Sequence, residues 1–136
     1  MKKIFFLLLI TLAVGSCSKK SDSTSSPEFT NKLTLGTGLN PSNLFQLTGE
    51  GTSFMGSTTI YFRLESADDM AGSAVRLKID QQDGTSVFSR DYPSPSSYGH
   101  IFLSSFTLPR TGSYVATGIL VTGLKTVASI NFTVTK

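Results

Sequence analysis

The segment Val75-Arg76-Leu77-Lys78-Ile79-Asp80 alternates apolar with charged residues at every position. Successive side chains of a β-strand point to opposite faces of a sheet, so this segment predicts a strand with one buried and one solvated face. The same alternation recurs in the segment 59–64, where Ile60, Phe62 and Leu64 share a face. Half-buried strands of this kind are typical of antiparallel sheets.

The rest of the segment 33–134 continues this period-two pattern. Asp83-Gly84 predicts a hairpin turn, because glycine readily adopts the positive φ that a tight turn needs. Ser66–Ala74 contains two aspartates and a glycine and predicts a loop. Other strands are expected at Leu33, Leu35 and Leu39, which would share one face, at Val87-Phe88, and at Tyr98–Leu108, Ser113–Val121 and Thr126–Val134. We therefore predict an all-β fold, a two-sheet antiparallel sandwich of about seven strands.

The first sixteen residues have the composition of an export signal. Lys2 and Lys3 precede an apolar run, Ile4–Val14, which ends at small residues. Eleven helical residues extend about 17 Å, whereas a bilayer core is roughly 30 Å thick. The run is therefore too short to span a membrane, and we interpret residues 1–16 as a signal peptide.

The segment Val14-Gly15-Ser16-Cys17 resembles the lipobox of bacterial lipoproteins. The resemblance covers the first seventeen residues. It implies that Cys17, the only cysteine, becomes the first mature residue and carries a diacylglycerol thioether and an acylated amine, palmitate being the expected acyl group. Several acyl chains on one residue anchor a protein durably, whereas one chain binds only marginally. We expect membrane attachment through Cys17.

The segment that follows the cysteine is polar and nearly free of apolar residues. Such a composition cannot offset the entropy lost on ordering, so residues 17–31 predict a lipidated Cys and a flexible tether. Its root-mean-square reach is on the order of 20 Å. The predicted organisation is thus a signal peptide at 1–16, a tether at 17–31 and a sandwich domain at 32–136.

The charge of the chain is concentrated outside the predicted domain. The formal net charge is +3, but beyond Leu33 seven basic residues face seven acidic ones. A neutral domain has no general electrostatic attraction for phosphate backbones. This balance excludes nucleic acid as a partner.

The segment Leu108-Pro109-Arg110-Thr111-Gly112-Ser113-Tyr114, followed by two alternating runs, resembles the last third of an immunoglobulin-like domain. The resemblance implies that Tyr114 is a corner tyrosine, whose hydroxyl bonds to nearby backbone where the chain changes sheets. Ala116 stands where antibody domains carry their second cysteine, and the chain has no tryptophan. The implied group is therefore the bacterial immunoglobulin-like or fibronectin-III-like domains, a likeness of architecture that does not specify a ligand.

Residues that carry chemistry are few in this sequence. His100 is the only histidine, so a Ser-His-Asp catalytic triad or a metal site with a histidine ligand would have to use it. The pair Asp68-Asp69, and Asp80 with Asp83, do not match the spaced carboxylates of an EF-hand loop and indicate turns instead. We expect no catalytic residues, no metal and no cofactor.

The segment Asp91–His100 combines tyrosine, serine and proline, a composition typical of recognition loops. Tyr92, Tyr98 and His100 are the candidate contact residues. The alternative is a surface crossover between the sheets, in which the tyrosines cover the edge of the core while their hydroxyls stay in water.

These features predict a non-enzymatic lipoprotein of a bacterial envelope that acts as a protein-binding or accessory module. One alternative is a glycan-binding surface lipoprotein that contacts the glycan through Tyr61, Tyr92 and Tyr98. Another is a periplasmic protease inhibitor that inserts the loop from Tyr92 to Tyr98 into the active site of the protease. Ser18 after the anchor resembles lipoproteins that are sent to the outer membrane, and the segment Ser16-Cys17-Ser18-Lys19-Lys20 resembles lipoproteins of Bacteroidota. Lys19 and Lys20 in place of an acidic run favour the periplasmic over the cell-surface side.

Overall fold

The computed structural model describes residues 28–93 and 99–136. These residues form ten β-strands and no α-helix, which confirms the all-β prediction with three strands more than the seven expected. The strands are β1 (Lys32–Gly36), β2 (Gly38–Asn40), β3 (Asn43–Thr48), β4 (Ser53–Met55), β5 (Thr59–Glu65), β6 (Val75–Gln81), β7 (Ser86–Tyr92), β8 (Ile101–Thr107), β9 (Gly112–Leu120) and β10 (Lys125–Thr135). A 3-10 turn, Thr122–Leu124, joins β9 to β10.

The strands form two packed sheets and one extra hairpin. The three-stranded sheet has the order β1-β5-β8, and the five-stranded sheet has the order β4-β10-β9-β6-β7. Neighbouring strands are antiparallel except β4 and β10, which are parallel. The extra hairpin pairs β2 with β3. β6 and β7 are joined through the predicted Asp83-Gly84 turn, where Gly84 has φ 89°.

The core lies between the two sheets and consists of the alternate residues that the sequence pattern identified. Ile60, Phe62 and Leu64 of β5 are buried, as are Val75, Leu77 and Ile79 of β6. Aromatic rings fill the centre, with Phe62 contacting Tyr92, Phe102 and Phe106 at centroid distances of 5.5–6.3 Å. Aromatic pairs at such distances add to the free energy gained from apolar burial.

Tyr114 occupies the corner between the two sheets. The chain leaves β8 in the three-stranded sheet and enters β9 in the five-stranded one. At the start of β9, the Tyr114 hydroxyl donates a hydrogen bond to the carbonyl oxygen of Arg110 over 2.9 Å. The corner tyrosine implied by the sequence resemblance is therefore confirmed, and the buried Ala116 follows two residues later.

The first apolar run is divided, contrary to the expectation that Leu39 shares a face with Leu33 and Leu35. The chain turns after Gly36 into the β2–β3 hairpin, and Leu39 is 38% exposed while Leu33 and Leu35 are buried. A Cβ on Gly36 would lie 2.7 Å from the carbonyl oxygen of Thr48, so only glycine permits this close return of the chain. Two strands that the periodicity did not predict result from this turn.

The predicted tether ends earlier than residue 31. The ring of Phe29 stacks on that of His100 at 4.5 Å, and the Thr30 amide donates to Oε1 of Glu65 over 2.9 Å. The side-chain oxygen of Asn31 accepts from the Ala67 amide over 2.8 Å. Phe29, Thr30 and Asn31 therefore belong to the domain, because each has a partner there that offsets the entropy of ordering.

Residues 1–27 lie outside the described part, and the predicted signal peptide and Cys17 fall within them. Among residues 28–93 and 99–136, no helix has the length and apolar character needed to cross a bilayer.

Candidate functional site

An apolar groove lies between the β2–β3 hairpin and the outer face of the three-stranded sheet. Its volume is about 270 Å³. The hairpin contributes Leu39, Leu44 and Phe45, and the sheet contributes Tyr61 of β5 with Leu103, Ser104 and Ser105 of β8. The groove exists because the β2–β3 hairpin covers part of the outer face of the three-stranded sheet. Without the hairpin this face would be in contact with solvent, as is common for antiparallel sheets.

The groove presents large apolar side chains to solvent. Leu44 is 65% exposed and Leu39 is 38% exposed. The turn between these two leucines is fixed by two asparagines: Oδ1 of Asn40 accepts from the Ser42 amide over 2.9 Å, and Oδ1 of Asn43 accepts from the Phe45 amide over 3.0 Å. These bonds fix the backbone of the turn that separates Leu39 from Leu44. Adjoining exposed apolar side chains of this kind mark interaction surfaces.

The structure places Tyr92 in the core, which corrects its prediction as a contact residue. Its side chain is 7% exposed, and its hydroxyl donates to the carbonyl oxygen of Ser105 over 3.0 Å. Burial raises the pKa of Tyr92, and nearby Arg90 offsets part of that rise. Tyr92 ends β7 facing the core, so its ring packs there and is not available to a partner.

His100 is engaged in contacts within the domain. Its Nδ1 lies 3.0 Å from the carbonyl oxygen of Ser66, and its ring is covered by Phe29. The Ser66 amide also donates to the carbonyl oxygen of His100 over 3.0 Å. The candidate contact residue His100 therefore joins the loop after β5 to the residues that precede β1.

The remaining residues that the sequence predicted as lipid-attachment or binding residues are Cys17, Tyr61 and Tyr98. Tyr98 lies outside the described residues, as does Cys17. Tyr61, a candidate for glycan binding, is half-buried and lines the groove. Of the candidate tyrosines that the structure describes, Tyr61 lies in the groove and Tyr92 does not.

The leucines of the groove were missed by the sequence reasoning. One signal for them was present: Leu44-Phe45 places two large apolar residues side by side, which breaks the alternation of a half-buried strand. An apolar pair after the turn-forming segment Asn40-Pro41-Ser42-Asn43 indicates that one member of the pair faces solvent. The groove itself also needs Leu103, which is distant in sequence and reaches it only through sheet pairing.

The four aspartates that the sequence offers as possible metal ligands have turn or ion-pair roles in the structure. Asp69 accepts from the Ala71 amide over 2.8 Å, and Asp83 accepts from the Thr85 amide over 2.9 Å, which lowers the pKa of Asp83. Asp68 pairs with Lys125, and Asp80 pairs with Lys78 over 2.8 Å. No group of three potential metal ligands occurs among residues 28–93 and 99–136.

A second concavity lies between the β6–β7 hairpin and the corner that precedes β9. Its volume is about 420 Å³, and its lining combines Val87 and Leu108 with polar residues such as Gln81 and Arg110. Leu108 is buried and contributes to the core. This concavity therefore offers fewer exposed apolar side chains than the groove.

Three comparisons with known proteins bear on the chain. Residues 1–18 match the family model for the prokaryotic membrane lipoprotein lipid attachment site. No curated protein sequence matches the chain.

The solved structures that match this chain include two with 12% sequence identity. An immunoglobulin-like protein from Pseudomonas aeruginosa has 12% sequence identity and a TM-score of 0.51, and the match covers 82% of this chain and 99% of that protein. The PmoD soluble domain from Methylocystis sp. ATCC 49242 (Rockwell) has 12% identity and a TM-score of 0.47, covering 76% of this chain and 89% of that domain. The protein described here is a lipoprotein: its lipid attachment site precedes an immunoglobulin-like β-sandwich.

Proposed function

We propose that this lipoprotein is a non-enzymatic binding module of the bacterial envelope, and that the groove under the β2–β3 hairpin receives an apolar side chain of a partner protein. The observation that carries the proposal is the exposure of Leu44 and Leu39 beside a concave, apolar surface. Small apolar concavities with few polar groups accept one or two anchoring side chains, which supply most of the binding free energy at many interfaces.

A protein partner suits the groove better than a glycan. Four of its seven lining residues are purely apolar, and the others are one tyrosine and two serines: Leu39, Leu44, Phe45 and Leu103, with Tyr61, Ser104 and Ser105. Sugar recognition needs several hydrogen-bonding side chains around an aromatic platform, whereas a leucine or phenylalanine anchor needs mainly apolar contact area.

A non-enzymatic role is supported by the position of the only histidine. His100 faces a backbone carbonyl and an aromatic ring, and a general base must instead lie within hydrogen-bond reach of the proton that it abstracts. The groove is lined by leucines, aromatic rings and two serines, and serine is a weak nucleophile without an adjacent base.

The proposed location is the outer membrane, with the domain in the periplasm. Ser18 after Cys17 supports sorting to the outer membrane, and Lys19 and Lys20 in place of an acidic run support the periplasmic side.

Site-specific photocrosslinking in intact cells tests the groove. A photoreactive amino acid replaces Leu44 in the full-length chain, and the matched control carries it at Val87, which lines the second concavity. We expect a discrete protein adduct from position 44. Co-expressed unlabelled chain should suppress that adduct, whereas unlabelled chain carrying Leu44→Asp should not.

Three outcomes contradict the proposal. If position 44 yields no more adduct than position 87, the groove is not the contact surface. If the adduct is a polysaccharide, the glycan alternative replaces a protein partner. If the Leu44→Asp chain competes as well as the unmodified chain, the crosslink reports proximity without binding.

A further inference from the structure

The turn between β9 and β10 presents an exposed leucine in a strained backbone conformation. Leu124 is 69% exposed and has φ 51°, in the left-handed region that side chains other than glycine, asparagine and aspartate rarely adopt. The preceding Gly123 has φ 79°. Neither core packing nor solubility accounts for a leucine at this tip, and strain of this kind is concentrated at functional positions.

Leu124 lies at the end of the sandwich where the chain arrives from the lipid attachment site. Asn31, just before β1, accepts a hydrogen bond from the Ala67 amide. The next residue along, Asp68, forms an ion pair with Lys125, the neighbour of Leu124. Two consecutive residues of one loop therefore connect the entry of the chain to the exposed turn.

The length of chain before this entry keeps the same end close to the bilayer. Ten residues separate Cys17 from Glu28, the first residue described. Whatever its conformation, this segment spans at most about 40 Å. Because it joins the domain beside the Leu124 turn, that turn is always within reach of the lipid surface.

The charges at this end are compatible with a lipid surface that is mainly zwitterionic. Asp68 and Lys125 neutralise each other, and the acidic Glu28 and Asp69 stand near the basic Lys32. The charges at this end of the domain are therefore nearly balanced, so a contact here depends on apolar burial and not on a cluster of basic residues.

The geometry points to a second membrane contact: the Leu124 side chain inserts into the bilayer interface, and the sandwich stands with its β9–β10 turn towards the lipid. Because the acylated Cys17 already holds the domain at the membrane, docking of the turn does not cost the translational freedom that a free protein loses on binding. Burial of one leucine side chain in the bilayer interface therefore raises the ratio of docked to undocked domains on the order of tenfold. This inference rests on the lipid attachment site and is independent of the groove.

Depth-sensitive fluorescence on the intact lipoprotein tests the contact. Leu124→Cys provides a single free thiol, because Cys17 is acylated, and an environment-sensitive NBD label is attached to it. The matched control is Met55→Cys: Met55 is 62% exposed and pairs with Thr135 at the opposite end of β10. In vesicles of phosphatidylethanolamine with a minor fraction of phosphatidylglycerol, we expect a blue shift and quenching by brominated lipid at position 124 but not at position 55.

A second pair of chains removes the leucine without disturbing the fold. Thr122→Cys carries the label in a chain with or without Leu124→Gly, since glycine adopts the observed φ without strain. We expect Leu124→Gly to reduce bromolipid quenching at position 122 several-fold, with thermal stability unchanged or raised.

Three results overturn the inference. Equal, water-like emission at positions 124 and 55 shows that this end does not contact lipid. Quenching at a Leu44→Cys label in place of position 124 shows that the groove faces the membrane. Quenching at position 122 that is unaffected by Leu124→Gly shows that the leucine does not mediate the contact. If the crosslinking experiment at Leu44 fails, the proposed groove function is contradicted, but the expected fluorescence results at positions 124, 122 and 55 stay the same.

Discussion

The hydroxyl of Tyr114 donates to the carbonyl oxygen of Arg110 over 2.9 Å, across the corner where the chain passes from one sheet to the other. The Tyr114 ring stacks on Phe132 of β10 with a centroid distance of 5.5 Å. One side chain therefore links the corner to the core of the five-stranded sheet, through a hydrogen bond at its tip and apolar contact along its ring.

Tyr114→Phe removes the hydrogen bond and keeps the ring. We expect a loss of about 1–2 kcal/mol in the free energy of unfolding, because the Arg110 carbonyl loses a partner in a partly buried position. Urea denaturation of the lipoprotein in mild detergent measures it. The control is Tyr61→Phe, since no hydrogen bond of the Tyr61 hydroxyl occurs in the part of the chain that the structure describes. An equal loss in both variants would show that the corner bond has no special role.

Gly118→Ala is expected to destabilise the core. A Cβ at Gly118 in β9 would lie 2.5 Å from a methyl group of Leu64 in the opposite sheet, so the Leu64 side chain occupies the space that a larger residue at position 118 would need. Overpacking of this kind costs about 1–3 kcal/mol. Thermal unfolding measures the loss, and Gly51→Ala, where an added Cβ meets nothing within 4 Å, is the control. The double variant with Leu64→Ala should lose less than the sum of the single losses.

The docking of residues 29–31 is expected to weaken in acid. The Thr30 amide, and then Arg63, lower the pKa of Glu65 from its ordinary value of 4.5. A lowered pKa in the folded state gives stability that is present above pH 4.5 and lost as the pH falls through the folded value. Hydrogen exchange at the Thr30 amide should accelerate relative to β-sheet amides as the pH falls below 4.5 and Glu65 becomes protonated.

Glu65→Gln should abolish the extra acceleration at Thr30 relative to the β-sheet amides, because the glutamine side chain has no carboxylate that acid can protonate. Asp91→Asn is the matched control: Arg76 lowers the pKa of Asp91 as well, but the pair lies on β6 and β7, away from Thr30. If the acid sensitivity at Thr30 persists in Glu65→Gln, another group controls the docking.

Alkaline pH is expected to destabilise the fold through Tyr92. Burial raises its pKa above the ordinary value of 10.0. A raised pKa in the folded state gives stability that is complete below pH 10 and declines as the pH rises further, because the unfolded chain ionises first. Tyr92→Phe should lose stability at pH 8, through the bond to Ser105, yet decline less than the unmodified chain between pH 9.5 and pH 11. Parallel declines would assign the alkaline transition to other tyrosines.

The sequence predicted the strands whose two faces differ most in environment. In β5 and β6, apolar and polar residues alternate because one face of each strand packs against the opposite sheet and the other face contacts solvent or polar neighbours. The sequence of these strands therefore predicts which side chains are buried. Tyr114 was predictable for a similar reason, since its hydrogen bond to Arg110 is local in sequence. The absence of both the antibody-type cysteine and any tryptophan also agrees with a core made of aliphatic and phenylalanine side chains.

The groove and the burial of Tyr92 depend on contacts between segments that are distant in sequence. The alternation of apolar and polar residues within a strand does not predict such contacts. The hairpin at 38–48 has one buried residue, Leu47, so its strands show no alternating signal. Tyr92 ends a strand that is mostly exposed, and its burial follows from meeting Phe62 and Ser105. Phe29 stands among polar residues, and its docking requires the ring of His100, which is 71 positions away in the chain.

The position of β10 between β4 and β9 imposes an order of events on the synthesis of this lipoprotein. β10 is the last in chain order of the ten strands that the structure describes, yet it pairs with both β4 and β9 in the five-stranded sheet, and its bonds to β4 join residues 81 positions apart. Contacts so distant in sequence form slowly, and none of those to β10 can form before its residues are made. The five-stranded sheet can therefore be completed only after the residues of β10 have been made, and β4 has no partner in that sheet until then.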